Sequence, residues 1–147
     1  FFAEAQLNRD LLPVQLPFTY AHEFSHLLGV SNEAEANYWA YRACTESDVQ
    51  AMRYSGYMGL LPYVLSNASS LLTKEQFQEW VRTIRPEIIA SYNENRNYWK
   101  ERYSPMIGKV QEVTYNLFLK GNQIPSGRKN YAEVISLLLS LQKENGE

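Results

Sequence analysis

The chain has 147 residues, a formal net charge of -2, 20% charged residues and 45% hydrophobic residues. That length suits one domain with its own core, the charge balance excludes a basic nucleic-acid footprint, and the composition is far from that of disordered chains. The single cysteine, Cys44, excludes an internal disulfide and any Cys-x-x-Cys metal knuckle.

Phe1 to Asn8 alternates Phe2, Glu4, Gln6 and Asn8 with Ala3, Ala5 and Leu7. Period-2 alternation predicts a short strand, with a helical turn as the alternative; such a strand either lies at the edge of a cleft, where an extended peptide can pair with it, or covers the core. Asn8-Arg9-Asp10 is a turn signal, and Pro13 and Pro17 are expected to keep the next stretch extended. A chain that starts Phe1-Phe2, without Met, is expected to be a fragment of a longer protein. Its longest apolar runs, Gly56 to Leu65 and Val134 to Leu141, are too short to cross a bilayer.

A helix predicted from Thr19 to Gly29 carries His22-Glu23-Phe24-Ser25-His26, which uses both histidines of the chain. On a helix, residues four apart share a face, so His22 and His26 can hold one metal ion, with Zn2+ the usual occupant. Glu23 then lies beside the open coordination position, where a coordinated water needs a base. Gly29 is the expected left-handed C-terminal residue, and Ser31 or Asn32 can cap a second helix over roughly residues 32–45. At 100° per residue, Glu33, Ala36, Asn37, Ala40 and Cys44 share one narrow face of that helix, and Glu35 points nearly the opposite way. Small residues at 36 and 40 allow the histidine-bearing helix to approach. Glu33 is therefore the expected third metal ligand and Glu35 the fallback. Asn37, one turn on, is placed to accept a hydrogen bond from the free ring N–H of a ligating histidine. Cys44 is expected to be a small buried hydrophobe.

Ser47-Asp48-Val49-Gln50 and Thr73-Lys74-Glu75-Gln76 both have the form of a capping box, so helices are expected after each. Pro62 is expected to kink or break the first of these. Pro86 opens a further helix, and Pro105 suits the first position of another that ends near Gly121. Gln123 to Lys129 is expected as a loop, and Asn130 as the cap of a last helix that ends before Gly146. The sum is a mainly α (α+β) chain, one domain over residues 1–147 with the histidine helix at its centre. At most a small N-terminal edge strand or sheet accompanies it.

Glu33-x-x-Ala36-Asn37 after His22-Glu23-x-x-His26 resembles the elements of zincin-type metallopeptidases of the Glu-ligand branch, among them the HtpX-like and ImmA/IrrE-like peptidases. More broadly, the chain is similar to the extramembrane part of a bacterial family of membrane-anchored His-Glu-x-x-His proteins. That likeness rests on Pro17-Phe18-Thr19-Tyr20-Ala21-His22-Glu23, Gly29, Glu33, Glu35-Ala36-Asn37, Tyr54-Ser55-Gly56-Tyr57 and Leu119-Lys120-Gly121-Asn122, with Tyr131 downstream. The resemblance implies a zincin-like domain and a zinc peptidase acting on a peptide or protein, with membrane association through segments outside this chain. The gap from His26 to Glu33 is shorter than in most of that branch and demands a tight turn at Gly29. In such an enzyme His22, His26 and Glu33 bind the metal and Glu23 is the general base. Tyr131, Arg128, Tyr54 and Tyr57 are the candidates to donate to the oxyanion. The alternative implied by ImmA/IrrE-like proteins is a zinc-binding regulatory or partner-recognition domain with narrow or no proteolytic activity.

Overall fold

The computed structural model describes residues 7–102 and 128–144, with side-chain detail for 7–102 and 132–140. Among the described residues there are six α-helices and no strand: α1 (Leu16–Leu27), α2 (Glu33–Thr45), α3 (Gln50–Leu71), α4 (Lys74–Thr83), α5 (Pro86–Arg102) and α6 (Arg128–Glu144). The mainly helical class follows the sequence expectation. Most of the expected edge strand, the helix from Pro105 to Gly121 and most of the following loop lie outside the described residues. The chain divides into two compact units, residues 1–70 with 130–147 and residues 71–129. The first contains α1, α2, nearly all of α3 and most of α6; the second contains α4 and α5.

Helix α1 begins at Leu16, three residues before the expected Thr19, and Pro17 lies in its first turn instead of extending the chain. A first-turn residue has no intrahelical acceptor for its N–H, and proline's fixed φ already suits the helix, so Pro17 costs nothing there. Gln15 supplies no side-chain cap to the helix. A tertiary contact substitutes: the buried Ser55 hydroxyl of α3 accepts from the Phe18 N–H at 3.0 Å.

That contact belongs to a small-residue face on α3. A Cβ added at Gly59 would come within 2.3 Å of the Phe18 ring, and one at Gly56 within 2.8 Å of Cys44 Cβ. The absence of these side chains is what lets α1 and α2 approach α3 so closely. Phe18, Ala40 and Cys44 form one buried cluster, flanked by Ala21 and Tyr41. Ala34, Leu60 and Val134 form a second, which ties α2 and α3 to α6. Cys44 is fully buried, as expected of a small hydrophobe, and burial pushes its thiol above the ordinary value.

Helix α3 runs through Pro62 to Leu71, so of the expected kink or break the break does not occur. The Ser47 capping box does not form either. Ser47 Oγ accepts from the Val49 N–H at 3.1 Å, which turns the chain locally, and the helix starts only at Gln50. Thr73 does close its box. Its hydroxyl accepts from the Gln76 N–H at 3.3 Å, and Gln76 Oε1 accepts from the Thr73 N–H at 3.0 Å, a cap worth about 1 kcal/mol. Helix α5 opens at Pro86 as expected. Helix α6 starts at Arg128, so Asn130 lies inside it and not at its cap, and the last part of the expected loop is helical. No helix among the described residues is long and apolar enough to cross a membrane.

Candidate metal centre

Two helix ends meet at the site. Helix α1 closes with a two-bond motif: the Gly29 N–H donates to the His26 carbonyl at 3.0 Å and the Val30 N–H to the Ser25 carbonyl at 3.1 Å. Gly29 holds a φ of +100°, a conformation that favours glycine, and so reverses the chain at once. Three residues later Asn32 caps α2, its side chain accepting from the Glu35 N–H at 3.0 Å. The tight turn required by the short gap is thus built by Gly29 and Asn32. It brings the first residue of α2 back over the histidines.

Helix α2 packs on α1 through the face expected from its periodicity. Ala36 and Ala40 are fully buried and Asn37 is 4% exposed. Glu33, on the same face, lies against both histidines. Its Oε2 is 3.3 Å from His22 Nε2 and its Oε1 3.5 Å from His26 Nε2. The two Nε2 atoms are 3.1 Å apart. One ligand atom from each of His22, His26 and Glu33 therefore falls within a single 4.8 Å cluster.

A cluster of this size is compatible with one small ion. Nitrogen and oxygen donors about 2.0–2.1 Å from a tetrahedral centre stand about 3.3 Å from one another, close to the 3.1 Å between the two Nε2 atoms, while each imidazole meets a different Glu33 oxygen, at 3.3 and 3.5 Å. The donor chemistry fits as well, since two imidazoles and one carboxylate suit zinc. Glu35, the fallback ligand, is not in the cluster. It lies on the exposed side of α2, where its Oε1 accepts from the Trp39 indole N–H at 3.5 Å.

The surroundings orient the donors. His26 Nδ1 lies 2.7 Å from the Val30 carbonyl, which can only accept, so Nδ1 carries a proton and Nε2 is the nitrogen that faces His22 and Glu33. The motif pattern did not reveal this partner, although the Gly29 turn that presents it was visible in the sequence. His22 Nδ1 is buried with no hydrogen-bond partner. The Asn37 side chain nevertheless lies near enough to favour the protonated ring.

Electrostatics in the cluster are dominated by Glu33. Burial opposes charge on His22, but Glu33, with help from Glu23 and Asn37, more than offsets it and raises the imidazole above its ordinary 6.5. The hydrogen bond from His22 holds the Glu33 carboxyl below its ordinary 4.5 against the opposing effect of burial, with the charges of both histidines adding to it. The site is still reachable, with the His26 and Glu33 side chains 28% and 36% exposed.

Among the other expected site residues, Glu23 is half-buried on α1 and close enough to act on the charge of His22. Tyr57 meets Tyr41 edge-on, with ring centres 5.9 Å apart, and is 56% exposed. Tyr54 is 38% exposed. The backbone of Arg128 and Tyr131 belongs to α6, and their side chains lie outside the described residues.

A family model described as a protein of unknown function (DUF3810) matches residues 1–139. The chain belongs to this family. No curated protein and no solved structure matches it.

Proposed function

We propose that this chain is a zinc-dependent peptidase domain whose metal is held by His22, His26 and Glu33. The observation that carries the proposal is the cluster of one ligand atom each from His22, His26 and Glu33 within 4.8 Å, drawn from two helices, with the two imidazole Nε2 atoms 3.1 Å apart and one carboxylate oxygen against each of them. Zinc supplies a Lewis acid that polarises a carbonyl and lowers the pKa of a coordinated water from about 15.7 toward roughly 7.

The protein's own groups supply the rest. The Val30 carbonyl keeps the proton of His26 on Nδ1, so Nε2 faces the site. Asn37 has the corresponding task at His22. Glu33 joins the two imidazoles and supplies the negative charge that makes the donor set favourable for a cation. Glu23 follows His22 in sequence but projects about 100° further round α1, leaving its carboxylate outside the ligand cluster. From there it takes a proton from the attacking water and delivers it to the leaving amine. On the resemblance to membrane-anchored His-Glu-x-x-His proteins alone, the proposal extends to a parent polypeptide held at a membrane and to a peptide or protein substrate.

The test is zinc content per chain together with peptide hydrolysis. Wild type and Glu35→Ala should each hold one zinc, and Glu33→Ala and His22→Ala should lose it. Glu23→Gln should keep zinc and lose about 10²–10⁴-fold in turnover, the usual range for a lost acid–base group. A wild type that takes up no zinc from metal-replete medium would end the proposal. Zinc bound with no hydrolysis of any peptide library would leave a zinc-dependent recognition domain instead.

A further inference from the structure

We propose that the groove between α2 and α6 binds a basic side chain, lysine or arginine, presented by a polypeptide partner. It is lined by Glu35, Tyr38 and Trp39 from α2 and by Glu133, Ser136 and Leu137 from α6, and encloses about 600 Å³. That volume lies in the range of sites that take a small ligand or a single large side chain. The groove lies off the side of α2 that bears Glu35, away from Glu33 and the histidines, and does not depend on a bound metal.

The chemistry of the lining selects a cation. Glu35 and Glu133 contribute two carboxylates, and among the described residues no lysine or arginine lines the groove. Trp39 is 44% exposed, and its indole N–H is tied to Glu35 at 3.5 Å, which fixes the ring relative to a carboxylate. An aromatic face beside carboxylates is the arrangement that holds a guanidinium or ammonium group by cation–π attraction and ion pairing together. The protein already contains an example: the Arg42 guanidinium lies 5.9 Å from the centre of the Trp39 ring. Arg42 is itself ion-paired to Glu46, one turn further along α2, and also donates to the Tyr38 hydroxyl at 3.4 Å. Leu137 gives an apolar wall against which the methylene stem of a long basic side chain can lie, with Ser136 beside it as a hydrogen-bonding group.

A peptide source is favoured over a free amine because the groove is open to solvent and combines an apolar residue, Leu137, with two exposed carboxylates. Such a shape suits a side chain whose backbone stays outside.

The experiment follows the Trp39 indole N–H by NMR in the whole chain, with the resonance assigned through Trp39→Phe. N-acetyl-L-arginine amide should shift it saturably. N-acetyl-L-citrulline amide, equal in length and neutral, should bind at least about tenfold more weakly, the scale of a charge-assisted contact. The Glu35→Gln/Glu133→Gln double variant should weaken the arginine probe by about five- to tenfold, and added salt should weaken it further. Both substitutions are at exposed positions. If the double variant fails to fold by circular dichroism, Glu133→Gln alone should weaken binding about threefold, as expected for one partly exposed ion pair. Equal binding of the citrulline probe, an unshifted resonance with arginine, or carboxylate variants that bind as wild type would each overturn the proposal. Tighter binding of 1,5-diaminopentane than of the arginine probe would overturn the assignment to a polypeptide.

Discussion

Gly29→Ala tests the turn on which the candidate metal centre rests. The glycine φ is +100°, and a Cβ added there would meet nothing within 4 Å. The cost of alanine is therefore conformational and not steric, about 1–2 kcal/mol for an L-residue forced into left-handed backbone. For a chain of this size that corresponds to a fall in Tm of about 2–8 °C. The open space around the site allows the turn to persist under strain, so the Val30 carbonyl should remain on His26 and zinc affinity should change less than about threefold, well below the 10–100-fold typical of a lost ligand partner. Gly29→Asn should lose clearly less stability, because asparagine tolerates left-handed backbone better than alanine. Urea unfolding of the metal-free chain, with zinc affinity measured against a competing chelator, gives both quantities. Alanine and asparagine variants as stable as wild type would show that the turn does not need glycine. A large loss of zinc affinity in either variant would show that the turn opens instead of bearing the strain.

Asn37→Ala should weaken zinc binding by about 10–100-fold while the chain stays folded, measured by chelator competition; unchanged affinity would remove Asn37 from the support of His22. The pH dependence has two limits in the metal-free protein. Glu33, held below 4.5, contributes stability above that value and loses it as pH falls through its lowered pKa, whereas His22, raised above 6.5, contributes below that value and loses it as pH rises through its raised pKa. Urea midpoints of the metal-free chain should therefore favour the interval between the two, relative to Glu33→Gln. Zinc competes with the proton on His22, so zinc affinity should fall as pH drops through the raised His22 value, and an affinity that stayed flat there would contradict the assignment. Gly59→Ala should destabilise by about 1–3 kcal/mol or more, the range for overpacking, because its Cβ would overlap the Phe18 ring. Phe18→Leu should recover part of that loss in the double variant, and strict additivity in denaturant melts would refute the contact.

The three donor residues, the helix face that carries Glu33 and the Gly29 reversal were all legible in the sequence. They depend on local periodicities, since His22 and His26 are four apart and Glu33, Ala36, Asn37 and Ala40 recur at helical spacing. The Thr73 box and the helix after Pro86 were legible for the same reason, as their partners lie within a few residues. The Ser47 box was misleading because the same hydroxyl can accept from an N–H two residues on, and here it accepts from Val49 and turns the chain before the helix begins.

What the sequence alone left undecided depends on contacts between segments far apart in the chain. The start of α1 at Leu16 relies on Ser55, 37 residues after Phe18, for a cap that no nearby side chain provides. Helix α3 continues through Pro62 in a body of tertiary packing whose contacts with α1, α2 and α6 no local rule contains. The tautomer of His26 depends on a backbone carbonyl, which has no residue-type signature. Sequence thus determined which residues can act as donors and on which helix faces they lie. Only the packing of α1 against α2 decided how closely Glu33 meets the histidines, because burial of Ala36 and Ala40 fixes the rotation of α2 about its axis.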